Sequence, residues 1–373
     1  MLCRQMAEHM TERYEVEVLT TKAIDYITWK NEYPSDQEEL NGVLIRRFPV
    51  SKTRNSKKFD ALSARVFTHQ STPEENQQWM EWQGPYCPAL LDFIQEHQAN
   101  YQVFIFFTYL YYTTYMGLPL VREKAILLPT AHDEPPIYVP IFRDFFHLPK
   151  GIFYNTPEEK ALVERLFHNG EILNNQGMGG AGIETPAHPQ PEIFREQHDL
   201  ERYLIYVGRI DKSKGCAQLF QYFEEYKRRN PRTLKLVLMG KPVMEIPSHP
   251  DILPLGFVTD EEKYNGMAGA EALVLPSRFE SLSLVVLESM SLGVPVVVNG
   301  KCDVLKEHCI RSNAGLYYRD YFEFEGTLNY LLNRTELRKQ MGELGVEYVE
   351  KNYRWDKIVD RLSQMVEMVG ESV

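Results

Sequence analysis

The chain has 373 residues, room for two hydrophobic cores at about 150 residues per domain. A content of 43% hydrophobic and 12% aromatic residues excludes a disordered protein. The net charge of −11 argues against a nucleic-acid partner, which calls for a basic domain.

Residues 2–13 read as a helix and Glu15–Leu19 as the strand behind it. A doubly wound domain opens with a strand whose turn feeds its first helix. That strand is absent here, a shortfall of roughly twenty residues ahead of Met1. A misplaced start, a truncation or a real loss would each explain it. Met1–Met10 carries Arg4, Glu8 and His9 without an apolar core, so no signal peptide is read. The basic run Arg46, Arg47, Lys52, Arg54, Lys57 and Lys58 reads either as a solvated loop or as a surface for anionic lipid headgroups or an acidic acceptor. Trp79, Trp82 and Tyr86 read first as core, with stacking on a sugar as the other use. Residues 101–121 carry no charge, yet only Val103–Phe107 is solidly apolar. A buried strand running into a polar-aromatic turn fits better than a membrane span.

Further strands are expected at Ala125–Leu128, Gly151–Tyr154, Tyr203–Val207, Leu234–Met239, Ala272–Leu275 and Pro295–Val298. Helices fit between them. Thr156-Pro157-Glu158-Glu159 combines an N-cap, a first-turn proline and a Glu at the capping-box position. Leu219, Phe220, Phe223 and Tyr226 keep a helical spacing. Strands alternating with helices predict parallel sheets covered on both faces. Pro186, Pro189 and Pro191 interrupt that rhythm and mark a boundary. The expected division is an N-terminal α/β domain at 1–185 and a C-terminal one at 200–350. Residues 353–373 form a last helix with Trp355, Ile358, Val359, Leu362 and Val366 on one face, and the N-terminal domain is its expected berth. Cys3, Cys87, Cys216, Cys302 and Cys309 are odd in number and lack zinc-site spacing, which predicts a reducing, cytoplasmic setting.

Two segments of the C-terminal half carry chemistry. The strand Tyr203–Val207 ends at Gly208-Arg209, and Lys214-Gly215 leads into a helix. A strand end feeding a helix N-terminus offers free N–H groups to an anion, and two cations beside it suit a diphosphate. Alone, the segment reads equally as a tight turn with two solvated cations. The second segment runs from Arg278 through Phe279, Glu280, Ser281, Leu282, Ser283 and Leu284 to Glu288. Ser283 is expected to cap the helix beginning at Leu284, leaving backbone N–H groups for phosphate. Glu288, one turn in, leans back toward the helix start within reach of a ribose diol. Glu280 stands at the mouth of the strand; both glutamates also read as exposed surface.

Together with Gly293-Val294-Pro295-Val296, this combination resembles the donor half of retaining glycosyltransferase family 4, the glycosyl transferases group 1, in its bacterial members. Gly256-Phe257-Val258, followed by Asp260, Glu262 and Lys263, stands where that family has its base-binding turn and next helix. Asn299-Gly300-Lys301-Cys302 and Arg311-Ser312-Asn313-Ala314-Gly315 narrow the likeness to one bacterial group. The resemblance is strong over roughly 200–370 and looser before. There Glu17–Thr21, Thr28-Trp29, Arg46-Arg47-Phe48 and Tyr154–Glu158 are similar to the family's second strand and later turns. Thr130-Ala131-His132-Asp133 stands where the family often places a His facing the donor sugar. Leu282-Ser283 departs from the family's common Phe-Gly.

The resemblance implies a GT-B type fold, two Rossmann-like doubly wound domains facing across a cleft. It implies transfer of a sugar from a nucleotide diphosphate sugar to a saccharide or glycolipid acceptor with retention at the anomeric carbon. Arg209 and Lys214 would stabilise the departing diphosphate with the amides near Ser283 and Leu284. Gly208, Gly256, Phe257, Val258, Ser281, Leu282 and Glu288 would line the donor. Glu280 and His132 would contact its sugar. No Asp-x-Asp occurs, so neither metal nor cofactor is expected. The setting would be cytoplasmic, with a peripheral inner-membrane contact through Arg46–Lys58. A nucleotide-sugar 2-epimerase on the same scaffold, or a non-catalytic nucleotide-sugar-binding protein, are the other readings. Gly177-Met178-Gly179-Gly180-Ala181-Gly182 matches a dinucleotide fingerprint but leads into Thr185-Pro186 rather than a helix, so it reads as a flexible loop.

Overall fold

The structure, a computed structural model, describes residues 2–68, 70–177 and 179–371. The chain divides into two compact units, Met1–Ala181 with Asp356–Val373, and Gly182–Trp355.

The first unit holds two ladders. One contains β1 (Glu17–Thr21), β2 (Gln37–Leu40) and β3 (Val43–Phe48) in the order β1-β3-β2. β1 and β3 are parallel, whereas β2 and β3 form an antiparallel hairpin. Asn41 and Gly42 turn that hairpin with φ of +52° and +78°, the left-handed pair that a two-residue turn requires. The other ladder is parallel: β4 (Phe104–Phe107), β5 (Ala125–Leu128), β6 (Gly151–Ile152) and β7 (Leu173–Asn174). One edge each of β1 and β4 pairs with no strand among the described residues. Both strands are accordingly half-buried along much of their length, while β5 is buried throughout.

The core of this unit is aromatic. Trp79 is fully buried and donates its indole N–H to Ser63 Oγ at 3.0 Å. Around it Tyr109, Phe142, Phe145 and Phe146 meet edge to face. Tyr86 packs on Tyr112, and Lys52 lies over Trp82. The uncharged stretch 101–121 becomes β4 and the short helix Tyr112–Gly117. The C-terminal helix Trp355–Gly370 packs within this unit: Asp360 pairs with Arg13, and a Cβ on Gly151 would lie 3.1 Å from Met365 Sδ.

The second unit is one six-stranded parallel sheet. Its strands are β8 (Tyr203–Val207), β9 (Lys235–Met239), β10 (Ile252–Gly256), β11 (Ala272–Leu275), β12 (Val296–Asn299) and β13 (Gly315–Tyr318). Their order is β10-β9-β8-β11-β12-β13. β11 and β12 are buried along their whole length, as continuous apolar runs in a sheet covered on both faces must be. The helix Cys216–Arg229 turns Leu219, Phe220, Phe223 and Tyr226 inward, the four residues its spacing selects. No helix among the described residues is long and apolar enough to cross a membrane.

Candidate active site

The order of the second sheet fixes where a ligand is received. Strands β8, β9 and β10 run outward one way and β11, β12 and β13 the other. The connections after β8 and β11 therefore turn to opposite faces, and a crevice opens at their carboxyl ends. Both chemistry-bearing segments of the sequence begin there.

After β8, Asp211 organises the loop. Its Oδ1 accepts from Ser213 Oγ at 2.6 Å and from the Lys214 N–H at 2.9 Å, and its Oδ2 pairs with Arg209. Burial works to raise the Asp211 pKa, but these bonds outweigh it and hold the carboxyl below its usual range. Tyr206 donates its hydroxyl to the Arg209 carbonyl at 2.7 Å. Gly215, at φ +80°, opens the helix Cys216–Arg229, and a Cβ there would stand 2.5 Å from the Pro276 carbonyl oxygen. Only glycine lets the β8 and β11 loops approach this closely.

That approach brings Lys214 and Glu280, 66 residues apart, into an ion pair of 2.7 Å. Glu280 is largely buried and Lys214 one-third exposed at the side chain. Further along, Ser283 differs from expectation. It does not cap the helix Leu284–Ser291 with its side chain; its backbone is left-handed at φ +66° and ψ +76°, and its Oγ is buried without a partner. Glycine adopts that conformation without Cβ strain, which accounts for the glycine at this place in the resembling family. The amides of the first helical turn still lack intrahelical acceptors.

Glu288 lies one turn into the helix. Its Oε1 accepts from Lys263 Nζ and from the Tyr264 hydroxyl, both at 3.1 Å. Burial opposes the charge on Lys263, yet Glu288 and Tyr264 outweigh it and raise the Lys263 pKa. The carboxylate is thus held in place by two donors on the helix Asp260–Ala268 and keeps its second oxygen outside those two bonds. Gly256 ends β10 at φ +71°, and beyond it Phe257 is 92% exposed while Val258 is half-buried. Arg209, Lys214, Glu280, Ser283 and Glu288 all stand on the loops or helix beyond the carboxyl ends of the two central strands of one sheet. Asp211 and Tyr264 complete the arrangement; neither carries a motif of its own in the sequence.

His132 belongs to the first unit, in the loop after β5. Its Nδ1 is 3.2 Å from the Thr130 carbonyl and its Nε2 3.2 Å from Glu134 Oε1. The preceding residue, Ala131, donates its N–H to Glu159 at 2.5 Å, and Asn155 donates to the other Glu159 oxygen at 2.6 Å. Glu159 therefore ties two loops together instead of closing a capping box with Thr156. Among the described residues no group of three or more His, Cys, Asp or Glu side chains is gathered to hold a metal ion.

The basic run of the first unit does not form one open patch. Arg46 pairs with Glu17, the buried Arg47 with Glu38, and Lys52 with Glu81. Arg54 donates to the Trp82 and Gln83 carbonyls and lies over Phe59. Only Lys57 and Lys58 of the six are exposed. The glycines of the fingerprint-like stretch serve close packing: a Cβ on Gly180 would collide with Asn155, and one on Gly182 with Trp355. Met178 of that stretch lies outside the described residues.

Comparison with known proteins agrees with this topology. The family described as glycosyl transferases group 1 matches residues 190–347. Alpha-D-kanosaminyltransferase of Streptomyces kanamyceticus is 27% identical over 197 residues, covering 48% of this chain and 49% of its own. Sucrose-phosphate synthase from Thermosynechococcus elongatus superposes with a TM-score of 0.73 at 16% identity, over 100% of this chain and 93% of that one. A trehalose-6-phosphate protein from E. coli bound with UDP-2-fluoro glucose superposes with a TM-score of 0.67 at 10% identity, over 98% and 95%. The chain spans about half or less of the length of the curated relatives that it matches first. Two Rossmann-like units with these neighbours define the GT-B fold class. Within it, the match to the glycosyl transferases group 1 falls on residues 190–347, all of them in the second unit.

Proposed function

We propose that the protein transfers a glycosyl group from a nucleoside diphosphate sugar to a saccharide or lipid-linked acceptor, with retention of anomeric configuration. One observation carries this reading: at the switch point of the second sheet, the loops after the neighbouring strands β8 and β11 converge and pair Lys214 with Glu280, while Asp211 holds Arg209 in the first loop and Lys263 holds Glu288 on the helix that the second loop enters. Cations and aimed N–H groups suit a leaving diphosphate, whose charge grows as the bond to the anomeric carbon breaks. The acceptor oxygen bonds to that carbon on the same face, and its proton passes to the departing phosphate oxygen. Glu288, held by Lys263 and Tyr264, is oriented to accept from a ribose diol. Lys214 keeps two ammonium hydrogens beyond its bond to Glu280, so it serves phosphate and carboxylate together. The kanosaminyltransferase likeness and the UDP-2-fluoro glucose bound by the E. coli protein support the same substrate class.

The test is turnover with uridine, guanosine and adenosine diphosphate sugars and a panel of saccharide and lipid-linked acceptors. Product anomers are read by NMR. Nucleoside diphosphate release coupled to a glycoside of unchanged configuration is the expected result. Conversion of the donor alone to an epimer would overturn it. Lys214→Ala should lower turnover about a hundredfold, the scale of one lost transition-state contact. His132→Ala in the same assay tests the sugar contact that the resemblance implies.

A further inference from the structure

The segment Asp303–Gly315 takes no part in the site described above, yet it contains a fully buried histidine. His308 lies on the helix Asp303–Ser312 with no exposed surface. Its Nε2 is 2.8 Å from the Leu282 carbonyl oxygen and its Nδ1 3.0 Å from the Tyr348 hydroxyl. A carbonyl only accepts, so Nε2 carries the hydrogen. In the neutral ring Nδ1 then accepts from Tyr348. The Tyr348 oxygen in turn lies 3.4 Å from the Tyr353 hydroxyl, and both tyrosine rings pack against the imidazole edge to face. The helix end is fixed as well: Ser312 Oγ donates to the His308 carbonyl at 2.7 Å and accepts from the Ala314 N–H at 2.9 Å. Asn313 ends the helix in the left-handed region. The whole segment thus immobilises one ring.

What the ring holds is the peptide unit between Leu282 and Ser283. A trans peptide is planar, and its C=O and N–H point in opposite directions. Gripping the Leu282 carbonyl therefore sets the direction of the Ser283 N–H, away from His308. Among the described residues no acceptor pairs with that N–H. Ser283 is the left-handed residue from which the helix Leu284–Ser291 starts, and its own Oγ is buried and unpartnered at the same point.

We propose that His308 is a positioning residue: by holding the Leu282 carbonyl it aims the Ser283 N–H at the diphosphate of the donor. The inference rests on the donor site proposed above for its ligand, but the orientation of the loop is measured without one.

Two substitutions of similar polarity separate reach from bulk. In His308→Gln the amide nitrogen extends as far as Nε2 and still donates to Leu282. In His308→Asn the side chain still meets Tyr348 but stops short of Leu282. Hydrogen exchange of the peptide spanning 280–290 is followed by mass spectrometry. Affinity is measured by calorimetry for UDP, GDP and ADP, and by ligand-observed NMR for the matching nucleosides. H308N is expected to exchange faster at that peptide while H308Q matches the parent. Diphosphate affinity should fall about tenfold in H308N relative to H308Q, the worth of roughly one hydrogen bond to a charged group. Nucleoside affinity should stay level, which general damage to the fold would not allow. Equal exchange in H308N and the parent overturns the proposal, as does an equal loss for nucleoside and diphosphate. If H308N does not fold, Tyr348→Phe unlocks the ring with one atom removed, and unchanged exchange at 280–290 there is equally fatal. Faster exchange in a protein that binds no nucleoside diphosphate would uphold the positioning role and overturn the donor reading instead.

Discussion

Ser283 combines two local costs. A left-handed backbone strains an L-residue by about 1–2 kcal/mol, and an unpaired buried hydroxyl costs about 1–3 kcal/mol. Glycine removes both and gives back about 0.5–1 kcal/mol through the freer unfolded chain. Ser283→Gly should therefore stabilise the protein by at least about 1 kcal/mol, read as a rise in denaturant midpoint at unchanged slope; a fall would show that the hydroxyl makes a favourable contact after all. Glu159 poses the opposite problem. Burial pushes its pKa up from 4.5 to about 8, against two N–H donors that favour the charged form. The unfolded chain loses this proton near 4.5 and the folded chain near 8, so the folded state binds more protons between those values. The stability contributed by Glu159 is full below the lower value and declines as pH rises toward the upper one. Glu159→Gln should remove that slope: the stability difference between variant and parent should move steadily in favour of the variant across the window. A difference independent of pH would mean that Glu159 stays ionised in the fold. In the sequence the position shows only its capping-box spacing; what it ties together depends on which loop the fold brings overhead.

Among the elements, those with strong local signals are legible. Tyr203–Val207, Ala125–Leu128 and Ala272–Leu275 are strands with the bounds their apolar runs suggest, because a strand buried on both faces admits nothing polar. The hairpin of β2 and β3 escapes a reading by apolar runs although Asn41-Gly42 is a direct turn signal, since Gln37–Leu40 is too polar to read as a strand. β13 escapes as well, because Gly315 closes a family-like motif and Gly315–Tyr318 is too short to show an alternation of its own. In the site, Lys214 and Glu280 are each legible as candidates, but their ion pair is not, because it needs β8 and β11 to be neighbours. His308 gives no signal at all: a lone histidine reads the same whether it faces solvent or a carbonyl. The C-terminal helix returns to the first unit after the chain has built the second. Leu362 is fully buried in it, so Leu362→Ala should cost about 2–5 kcal/mol. Because the helix belongs to the first unit, the loss should be read there, as faster hydrogen exchange in β4 and β6, while exchange in β11 and β12 stays as in the parent.

At the scale of the whole chain, no sheet is shared between the units, each has its own core, and the chain passes between them at 181–182 and again at 355–356. Such a molecule is not bound to unfold in one step. Arg209, Lys214, Glu280 and Glu288, the residues of the proposed donor site, all lie in the second unit, so a nucleoside diphosphate that binds them stabilises that unit directly. At a ligand concentration a hundred times Kd the gain is about 2.7 kcal/mol. Calorimetry should then resolve two transitions. Saturating nucleoside diphosphate should raise one, and Leu362→Ala should lower the other. The same two perturbations applied together should act independently, since they touch sites without shared partners. Lys214→Ala should abolish the ligand-induced rise and leave the second transition where it was. A single transition, moved by ligand and by the helix substitution alike, would mean that the units are coupled strongly enough to unfold as one, and the assignment of each perturbation to its own unit would fall with it.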